Sequence, residues 1–264
     1  MKAHLITLCL VSIALPCMAA QPQAAAPGMS RLGTGYLKNG PLPDNVAPPP
    51  PAPGSAAQAR DDEGAKAALA LQGGPRWTLA TADADLLGPK ATATFSCTLG
   101  VAIGPDTTPR LDRLLRRTLA DFGMSTSAIK HRYARPRPFM VNGQPTCTPD
   151  WEPMLRKDGS YPSGHSAIGY GWGLILAQLH PDLAPALVAR GRAFGDSRRV
   201  CNAHWLSDTE EGRLAATVVF ARLNADPAFQ KDMKAARKDI ARAKARPTGC
   251  DAEAAALTQG VPQP

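Results

Sequence analysis

The sequence has few of the patterns that mark a β-sheet. Runs of alternating apolar and polar residues are almost absent, and no internal repeat is seen. Apolar residues recur instead at steps of three and four, which is the spacing of one helix face. The expected fold is therefore all-α, a single-domain bundle of seven or eight helices.

Long apolar runs are missing as well. After the first twenty residues, no segment reaches the roughly 18 uninterrupted apolar residues of a spanning helix. The N-terminus has Lys2, a short apolar run over residues 5–16, and the small residues Ala19 and Ala20. This arrangement is typical of a secretory signal peptide. It predicts a signal over residues 1–20, a periplasmic or secreted protein, and no membrane anchor.

Cysteine is scarce, and its spacing fits no zinc site. The chain has six cysteines, no C-x-x-C pair and no nearby histidine pair. Removal of the signal leaves four cysteines, which are Cys97, Cys147, Cys201 and Cys250. An even number in an oxidising compartment predicts two disulfides, and three pairings remain open.

Aromatic residues make up only 5% of the chain, although its net charge is +8. Much of the positive charge lies in residues 130–137 and 231–246. The second stretch mixes aspartate with its cations and has no aromatic residue on which a base could stack. It predicts a solvated helix face, and no nucleic-acid partner is expected.

The chain divides by composition into four segments. Residues 1–20 are the signal, and residues 21–60 are a Pro/Ala-rich extended arm or linker. Residues 61–246 form the helical domain, and residues 247–264 form a C-terminal tail. Within the domain, Pro109 opens a helix whose leucines share one face. Later helices are predicted over 164–179, 183–195, 208–224 and 227–245.

The stretch PSGH, residues 162–165, precedes an unusually apolar helix. Ser163 is a favoured N-cap residue, and Gly164 lets the backbone turn closely. A helix N-terminus presents unpaired N–H groups and a partial positive charge, which suit an anion. On its own, the stretch favours an ordinary capped helix beside an incidental histidine.

The stretch KHRYARPRPF, residues 130–139, contains four cations besides a histidine. Pro136 and Pro138 exclude a helix through Arg137 and hold it extended. A solvated basic loop is the usual outcome of such a composition. Here the apolar residues that follow favour a segment that packs onto the domain.

A histidine and an aspartate four residues apart form the third motif. Ser207 and Glu210 resemble a capping box, which predicts a helix from Asp208. The Asp208 carboxylate can accept one imidazole N–H of His204 and leave the other nitrogen as a lone pair. That is the arrangement of a histidine nucleophile. A surface pair and a metal-binding pair are the alternatives, and neighbouring cations argue against a metal.

Together the three motifs match the chemistry of phosphoryl transfer. That reaction requires charge stabilisation on three oxygens, an in-line nucleophile and an acid for the leaving oxygen. The motifs supply three cations (Lys130, Arg137 and Arg198), a helix N-terminus and two histidines. A phosphate site also explains clustered cations without a metal or any other cofactor.

The ordered signature resembles the phosphatidic acid phosphatase type 2 and vanadium haloperoxidase superfamily. It consists of Lys130 with Arg137-Pro138, the PSGH stretch, and Ser197-Arg198 with His204 and Asp208. The longer stretch GSYPSGHS resembles the signature of bacterial class A non-specific acid phosphatases, which usually have threonine where Ser166 stands. The similarity extends over about residues 60–240.

The resemblance implies a role for each residue. His204 would be the nucleophile that forms a phosphohistidine, Asp208 would orient it, and His165 would be the general acid and base. The remaining five residues would bind the phosphate: Lys130, Arg137, Ser163, Gly164 and Arg198. The resemblance also implies an all-α fold, metal-independent chemistry and small phosphorylated substrates, namely nucleotides, sugar phosphates and aryl phosphates.

Other functions remain open at this point. A vanadate-dependent haloperoxidase would use the same residues, and a non-catalytic periplasmic phosphate-binding protein would need only the cations. A membrane lipid phosphatase is disfavoured because it needs several spanning helices. The oligomeric state is open, a homo-oligomer included.

Residues outside the motifs are expected to be structural. They comprise surface histidines (His131 and His180), packing tryptophans (Trp77, Trp172 and Trp205) and exposed salt-bridge arginines (Arg132, Arg135 and Arg199).

Overall fold

A computed structural model describes residues 33–38, 42–43 and 45–264. Throughout these residues the backbone forms helices, turns and loops, and no strand. The all-α prediction is confirmed. The predicted signal over residues 1–20 lies outside the described residues, and so does much of the predicted arm.

The described chain contains twelve α-helices. They are α1 (Ala56–Leu69), α2 (Pro75–Ala84), α3 (Ser96–Leu99), α4 (Pro109–Met124), α5 (Ser127–Tyr133), α6 (Pro138–Asn142), α7 (Glu152–Leu155), α8 (Gly164–Leu179), α9 (Ala184–Val200), α10 (Leu206–Asn224), α11 (Pro227–Arg242) and α12 (Cys250–Thr258). Short 3₁₀ helices cover Ala91–Phe95, Pro149–Trp151 and Pro181–Leu183. Among these helices, none has the length and hydropathy required to cross a bilayer.

Helix α8 occupies the centre of the bundle. It packs against α4, α9 and α10, and its residues Trp172, Ile175 and Leu176 are fully buried. The Trp172 indole donates to the Leu115 carbonyl of α4 at 3.0 Å. A Cβ at Gly191 would lie 2.8 Å from the Gly169 carbonyl. Glycine at this position therefore permits the close approach of α8 and α9.

Several helix boundaries differ from the prediction. The helix predicted over 208–224 begins at Leu206, and the helix predicted over 227–245 ends at Arg242. Helix α9 continues to Val200, five residues past the predicted end at residue 195. Gly195, which indicated a stop, instead packs against Ser166, where a Cβ would lie 2.9 Å from the Ser166 hydroxyl oxygen. Helix α1 begins at Ala56 because the Ser55 hydroxyl caps the Gln58 N–H at 3.1 Å.

The described part of the arm packs on the helices. The backbone N–H groups of Tyr36 and Leu37 donate to the Asp121 carboxylate of α4. Further along, Tyr161 donates its hydroxyl proton to the Pro48 carbonyl at 2.8 Å. The arm thus ends next to the PSGH stretch.

The four cysteines form two disulfides, Cys97–Cys250 and Cys147–Cys201. The first ties α12, in the segment after residue 246, to α3. The Glu253 carboxylate of α12 accepts a hydrogen bond from Arg190 of α9 at 2.7 Å. The second disulfide joins the loop after α6 to the residue that follows α9.

The central position of α8 makes its stability contribution testable. Leu176→Ala removes a side chain with no exposed surface and should lower the free energy of unfolding by about 2–5 kcal/mol, because the cavity cannot fully collapse. Leu214→Ala is the matched control, since Leu214 is a helical leucine that is 45% exposed. It should cost less than about 0.5 kcal/mol in urea unfolding. Equal losses in the two variants would contradict the central placement of α8.

Candidate active site

The structure brings all eight predicted site residues together around the N-terminus of α8. These residues lie on five elements: α5, the α5–α6 link, the start of α8, the last turn of α9, and the turn into α10 with its first helical turn. In that order they are Lys130; Arg137; Ser163, Gly164 and His165; Arg198; and His204 with Asp208.

The two prolines set the conformation of Arg137 as predicted. Arg137 is extended, with φ −83° and ψ 156°, and Pro138 opens α6. The side chains of Arg137, Pro138 and Phe139 are buried. The segment therefore packs onto the domain and is not a solvated loop.

His204 is buried between a carboxylate and a guanidinium. Its Nδ1 lies 3.2 Å from Oδ2 of Asp208, and its Nε2 lies 2.9 Å from Nη1 of Arg137. Because a guanidinium can only donate, Nε2 must be the acceptor and Nδ1 must carry the proton. Burial, followed by the charges of Arg137 and Lys130, holds the pKa of His204 well below its ordinary value. His204 is therefore neutral, with a lone pair on Nε2.

Asp208 is positioned by the first turn of α10. The helix begins at Leu206 with Trp205 as its N-cap, and the Asp208 carboxylate accepts the Trp205 N–H at 2.8 Å. The predicted capping box of Ser207 and Glu210 is wrong. Glu210 instead pairs with Arg60 of α1 at the surface.

Arg137 uses all five of its N–H donors within the protein. Nε donates to the carbonyls of Leu155 and Asp158, at 3.0 and 3.1 Å. Nη1 donates to the Ala203 carbonyl and to His204, and Nη2 to the Asp158 carboxylate and the Gly159 carbonyl. Arg137 must therefore release one of these partners, His204 or Asp158, before it can bind an anion.

Arg198 is the opposite case. Its side chain is fully buried, and none of Nε, Nη1 and Nη2 has an acceptor within the described residues. Burial and the nearby Arg137 lower its pKa to about 9, so it stays charged at acidic and neutral pH. A buried donor without an acceptor costs about 1–3 kcal/mol, and more when charged. Several acceptor oxygens on a compact anion would satisfy these donors together.

Lys130 and Arg137 share one carboxylate. Oδ2 of Asp158 lies 3.3 Å from Nζ of Lys130 and 3.0 Å from Nη2 of Arg137. The Lys130 ammonium also donates to the Gly159 carbonyl. Burial lowers the pKa of Lys130 to about 8, and Asp158 opposes that shift. The Asp158 carboxylate thus pairs with two of the three cations that are predicted to bind phosphate.

His165 lies at the mouth of the site, half-buried in the first turn of α8. Its Nε2 is 3.0 Å from the Ala84 carbonyl, which can only accept. Nε2 therefore carries a proton, and Nδ1 is the nitrogen that can gain or lose one. Desolvation and the Arg198 charge hold the pKa of His165 well below its ordinary value.

The helix N-terminus is held from two sides. The Ser163 hydroxyl caps the Ser166 N–H at 3.2 Å, and the Ser163 N–H donates to the Asp208 carbonyl at 2.9 Å. A Cβ at Gly212 of α10 would clash with the Ser163 carbonyl, so glycine permits this contact. The first N–H groups of an α-helix such as α8 have no intrahelical acceptor.

The turn that carries His204 is cross-linked. The His204 N–H donates to the Arg198 carbonyl at 3.2 Å, and Cys201 is bonded to Cys147. Asn202 has a left-handed φ of 57°, and its amide exchanges hydrogen bonds with that of Asn142. The nucleophile candidate and Arg198 are therefore fixed relative to one another.

Comparison with known proteins agrees with this geometry. Residues 117–230 match the PAP2 superfamily. The chain is 41% identical to an acid phosphatase of Zymomonas mobilis over 74% of each chain. It is also 41% identical to a non-specific acid phosphatase of Salmonella typhimurium, over 73% of this chain and 78% of that one. The chain belongs to the PAP2 superfamily.

A third relative gives the same result. A non-specific acid phosphatase of Providencia stuartii is 35% identical, over 79% of this chain and 86% of that one. Because the PAP2 superfamily is one of phosphatases, the chain is an enzyme of this kind.

Several buried residues that hold the motif residues in place are not part of the sequence motifs. Arg135 and Arg199 were expected to be exposed, but both are buried. Arg135 contacts the Asp208 carboxylate. Arg199 lies between the Asp196 carboxylate and the carbonyl of Pro262. A signal for Arg135 was available: residues two apart in an extended segment face the same side, so Arg135 accompanies Arg137. Nothing in the sequence pattern pointed to Asp158.

No group of three or more His, Cys, Asp or Glu side chains is arranged to hold a metal in the described part of the chain. The Asp208 carboxylate is directed at Arg135, the Trp205 N–H and His204. The tryptophans pack as expected: Trp172 and Trp205 are buried, and Trp77 is half-buried.

The Asp158 contacts predict an effect on phosphate affinity. Asp158→Asn removes the anion that competes for Lys130 and Arg137, so inorganic phosphate should inhibit about three- to tenfold more strongly, the net effect of one hydrogen bond of about 1 kcal/mol. Inhibition constants would be measured with an aryl phosphate. The control is Asp150→Asn, at an exposed aspartate of a preceding turn. An unchanged or weaker inhibition by phosphate in Asp158→Asn would show that Asp158 only positions the two cations.

Proposed function

We propose that the protein is an exported acid phosphatase that hydrolyses phosphate monoesters of broad specificity, without a metal, through a phosphohistidine. One observation carries the proposal. The buried Arg198 has three nitrogens without an acceptor among the described residues, and it shares a site with a neutral histidine whose Nε2 has a lone pair. The acid phosphatase names of three relatives support the same reading.

The first step is attack on the phosphoryl group. A phosphate oxygen takes the place of His204 on Arg137 and frees the Nε2 lone pair, and other oxygens bind Arg198 and the first N–H groups of α8. Nε2 of His204 then bonds to phosphorus while the ester P–O bond breaks. His165 gives its Nδ1 proton to the leaving oxygen, and Asp208 stabilises the positive charge on the His204 ring.

The second step releases phosphate. His165, now neutral at Nδ1, takes a proton from a water molecule whose oxygen bonds to phosphorus. The N–P bond breaks and returns its electron pair to Nε2 of His204. Phosphate leaves, and the proton held by His165 is available for the next substrate.

The charges favour activity at acidic pH. His204 must be neutral to attack, and its depressed pKa keeps it so at acidic pH. His165 must be protonated to act as the acid, and its pKa is also depressed in the free site. A bound phosphate ester brings negative charge to His165, which raises its pKa and favours the acid form.

Metal-independence and export rest on separate features. Lys130, Arg137 and Arg198 supply the positive charge that a metal ion would otherwise bring to the transferring group. The N-terminal pattern over residues 1–20 and the two disulfides are typical of an exported protein.

The nucleophile is tested by trapping the intermediate. His204→Ala should lower kcat by at least about 10³-fold and abolish the phosphoenzyme, because it removes the nitrogen that attacks phosphorus. The phosphoenzyme is measured by rapid quench with labelled aryl phosphate and identified as base-stable and acid-labile. His131→Ala, at an exposed histidine, is the matched control and should keep full burst amplitude. An undiminished phosphohistidine in His204→Ala would refute the assignment.

The acid is tested by pH dependence. Above the pKa of His165 the rate should fall about tenfold per pH unit, since one proton is lost. This decline should begin at higher pH in kcat than in kcat/KM, corrected for the ionisation of the substrate, because bound phosphate raises the pKa. Excess EDTA should leave both profiles unchanged. Coincident declines would refute the role of His165, and a loss of turnover in EDTA would show a required metal.

A further inference from the structure

Arg135 lies directly behind the His204–Asp208 pair. Its Nη1 donates to Oδ1 of Asp208 at 2.8 Å, while Oδ2 of the same carboxylate faces Nδ1 of His204. The Arg135 guanidinium lies 5.2 Å from the centre of the Trp205 ring. Its side chain is only 6% exposed. Each oxygen of Asp208 therefore has its own charged or polar partner.

The other half of Arg135 is held by α1. Its Nη2 donates to Oδ2 of Asp61 at 2.7 Å and to Oε1 of Gln58 at 2.8 Å. The Ser207 hydroxyl accepts from Arg135 and donates to Asp61, and the Ser207 N–H also donates to Asp61. Asp61 is fully buried, and the other buried residues of α1 are the small Gly64 and Ala68. Helix α1 therefore belongs to the same hydrogen-bond network as His204.

Asp208 needs such a partner because it is fully buried. Desolvation raises the pKa of the Asp208 carboxyl, and Arg135 is the strongest opposing influence. A protonated Asp208 could no longer accept the proton of Nδ1 with a full charge, and it would not stabilise the cationic ring of a phosphohistidine. Removal of Arg135 would therefore make Nε2 of His204 a weaker nucleophile, because the charge of Asp208 would be lost.

We propose that Arg135, anchored by Asp61, is a positioning residue that keeps Asp208 ionised and aimed at Nδ1 of His204. This inference rests on the proposed function, in which His204 is the nucleophile. It makes α1 a part of the catalytic unit. Arg135 acts through Asp208. Within the described residues its guanidinium donates to Gln58, Asp61, Ser207 and Asp208, which are not phosphate-binding residues.

Other groups also face Asp208. They are Lys130 of α5, Arg137 of the α5–α6 link, His204 of the preceding turn, Tyr161 just before the PSGH stretch, the Trp205 N–H and, through Arg135, Asp61 of α1. Lys130 lowers the pKa of Asp208 less than Arg135 does. Arg135 is also the one cation with a hydrogen bond to this carboxylate among the described residues. Loss of Arg135 should therefore raise the pKa of Asp208 more than loss of any of these other groups, and so change the acid limb of the pH–rate profile most.

The test compares Arg135→Gln with Arg135→Lys in the full chain. In Arg135→Gln, kcat for an aryl phosphate should fall by on the order of 10–100-fold, as when a partner orienting a reacting histidine is removed, while KM stays near wild type. The acid limb of kcat should move to higher pH, because Asp208 now protonates more readily. Arg135→Lys keeps the charge and should restore the acid limb but only part of kcat, since one ammonium cannot span Asp208 and Asp61.

The matched control is Arg60→Gln. Arg60 forms a bidentate pair with Glu210, and this pair joins the same two helices, α1 and α10, at the surface. Its removal should leave kcat, KM and the pH profile unchanged. If Arg135→Gln lowers only the melting temperature and leaves the profile as in wild type, Arg135 is structural and the inference is wrong. If Arg135→Gln does not fold, Arg135→Lys decides, and an unchanged kcat in that variant overturns the inference.

Failure of the proposed function would look different. Wild-type protein without a phosphohistidine burst would refute the nucleophilic role of His204 itself. A normal wild-type burst with an unchanged acid limb in both Arg135 variants would refute the inference alone.

Discussion

The structure depends on the burial of three cations beside two neutral histidines. Lys130, Arg137 and Arg198 lie within one low-dielectric site, where each raises the cost of charging its neighbours. Such a cluster is stable only where anions or carbonyl oxygens face it. Arg137 is satisfied by backbone carbonyls, Asp158 and His204, whereas the Arg198 guanidinium has no acceptor in the described part of the chain. In the proposed function this guanidinium binds an oxyanion of the substrate. Desolvation, followed by the charges of these cations, lowers the pKa values of both histidines.

Two layers hold this cluster in place. Near the site, the Cys147–Cys201 disulfide and the Asn142–Asn202 pair fix the turn that presents His204. Farther out, Ser197 donates to Asp83, and Asp83 pairs with Arg190, so the last turn of α9 is tied to α2 and α12. Arg198 follows Ser197 directly. The position of the unsatisfied guanidinium is therefore set by buried hydrogen bonds from helices far apart in sequence.

Local patterns carried the prediction of the fold and of the motif residues. Apolar spacing, Pro109 and the Ser163 cap predicted where α4 and α8 begin, because such signals act within a few residues. They did not predict the length of α9, since Gly195 is tolerated for its contact with α8. The burial of Arg135, Asp61 and Asp158 also escaped local patterns. Their partners lie on other elements, and charged residues are by default read as exposed.

The most direct test is a crystal structure of the protein with orthovanadate, which mimics the pentavalent phosphorus of the transition state. We expect vanadium within bonding distance of Nε2 of His204, its oxygens hydrogen-bonded to the free nitrogens of Arg198, and His165 on the opposite side. Arg137 should have released Nε2. Vanadate bonded to His165, or bound away from Arg198 with the Arg137–His204 contact intact, would contradict the account of this site.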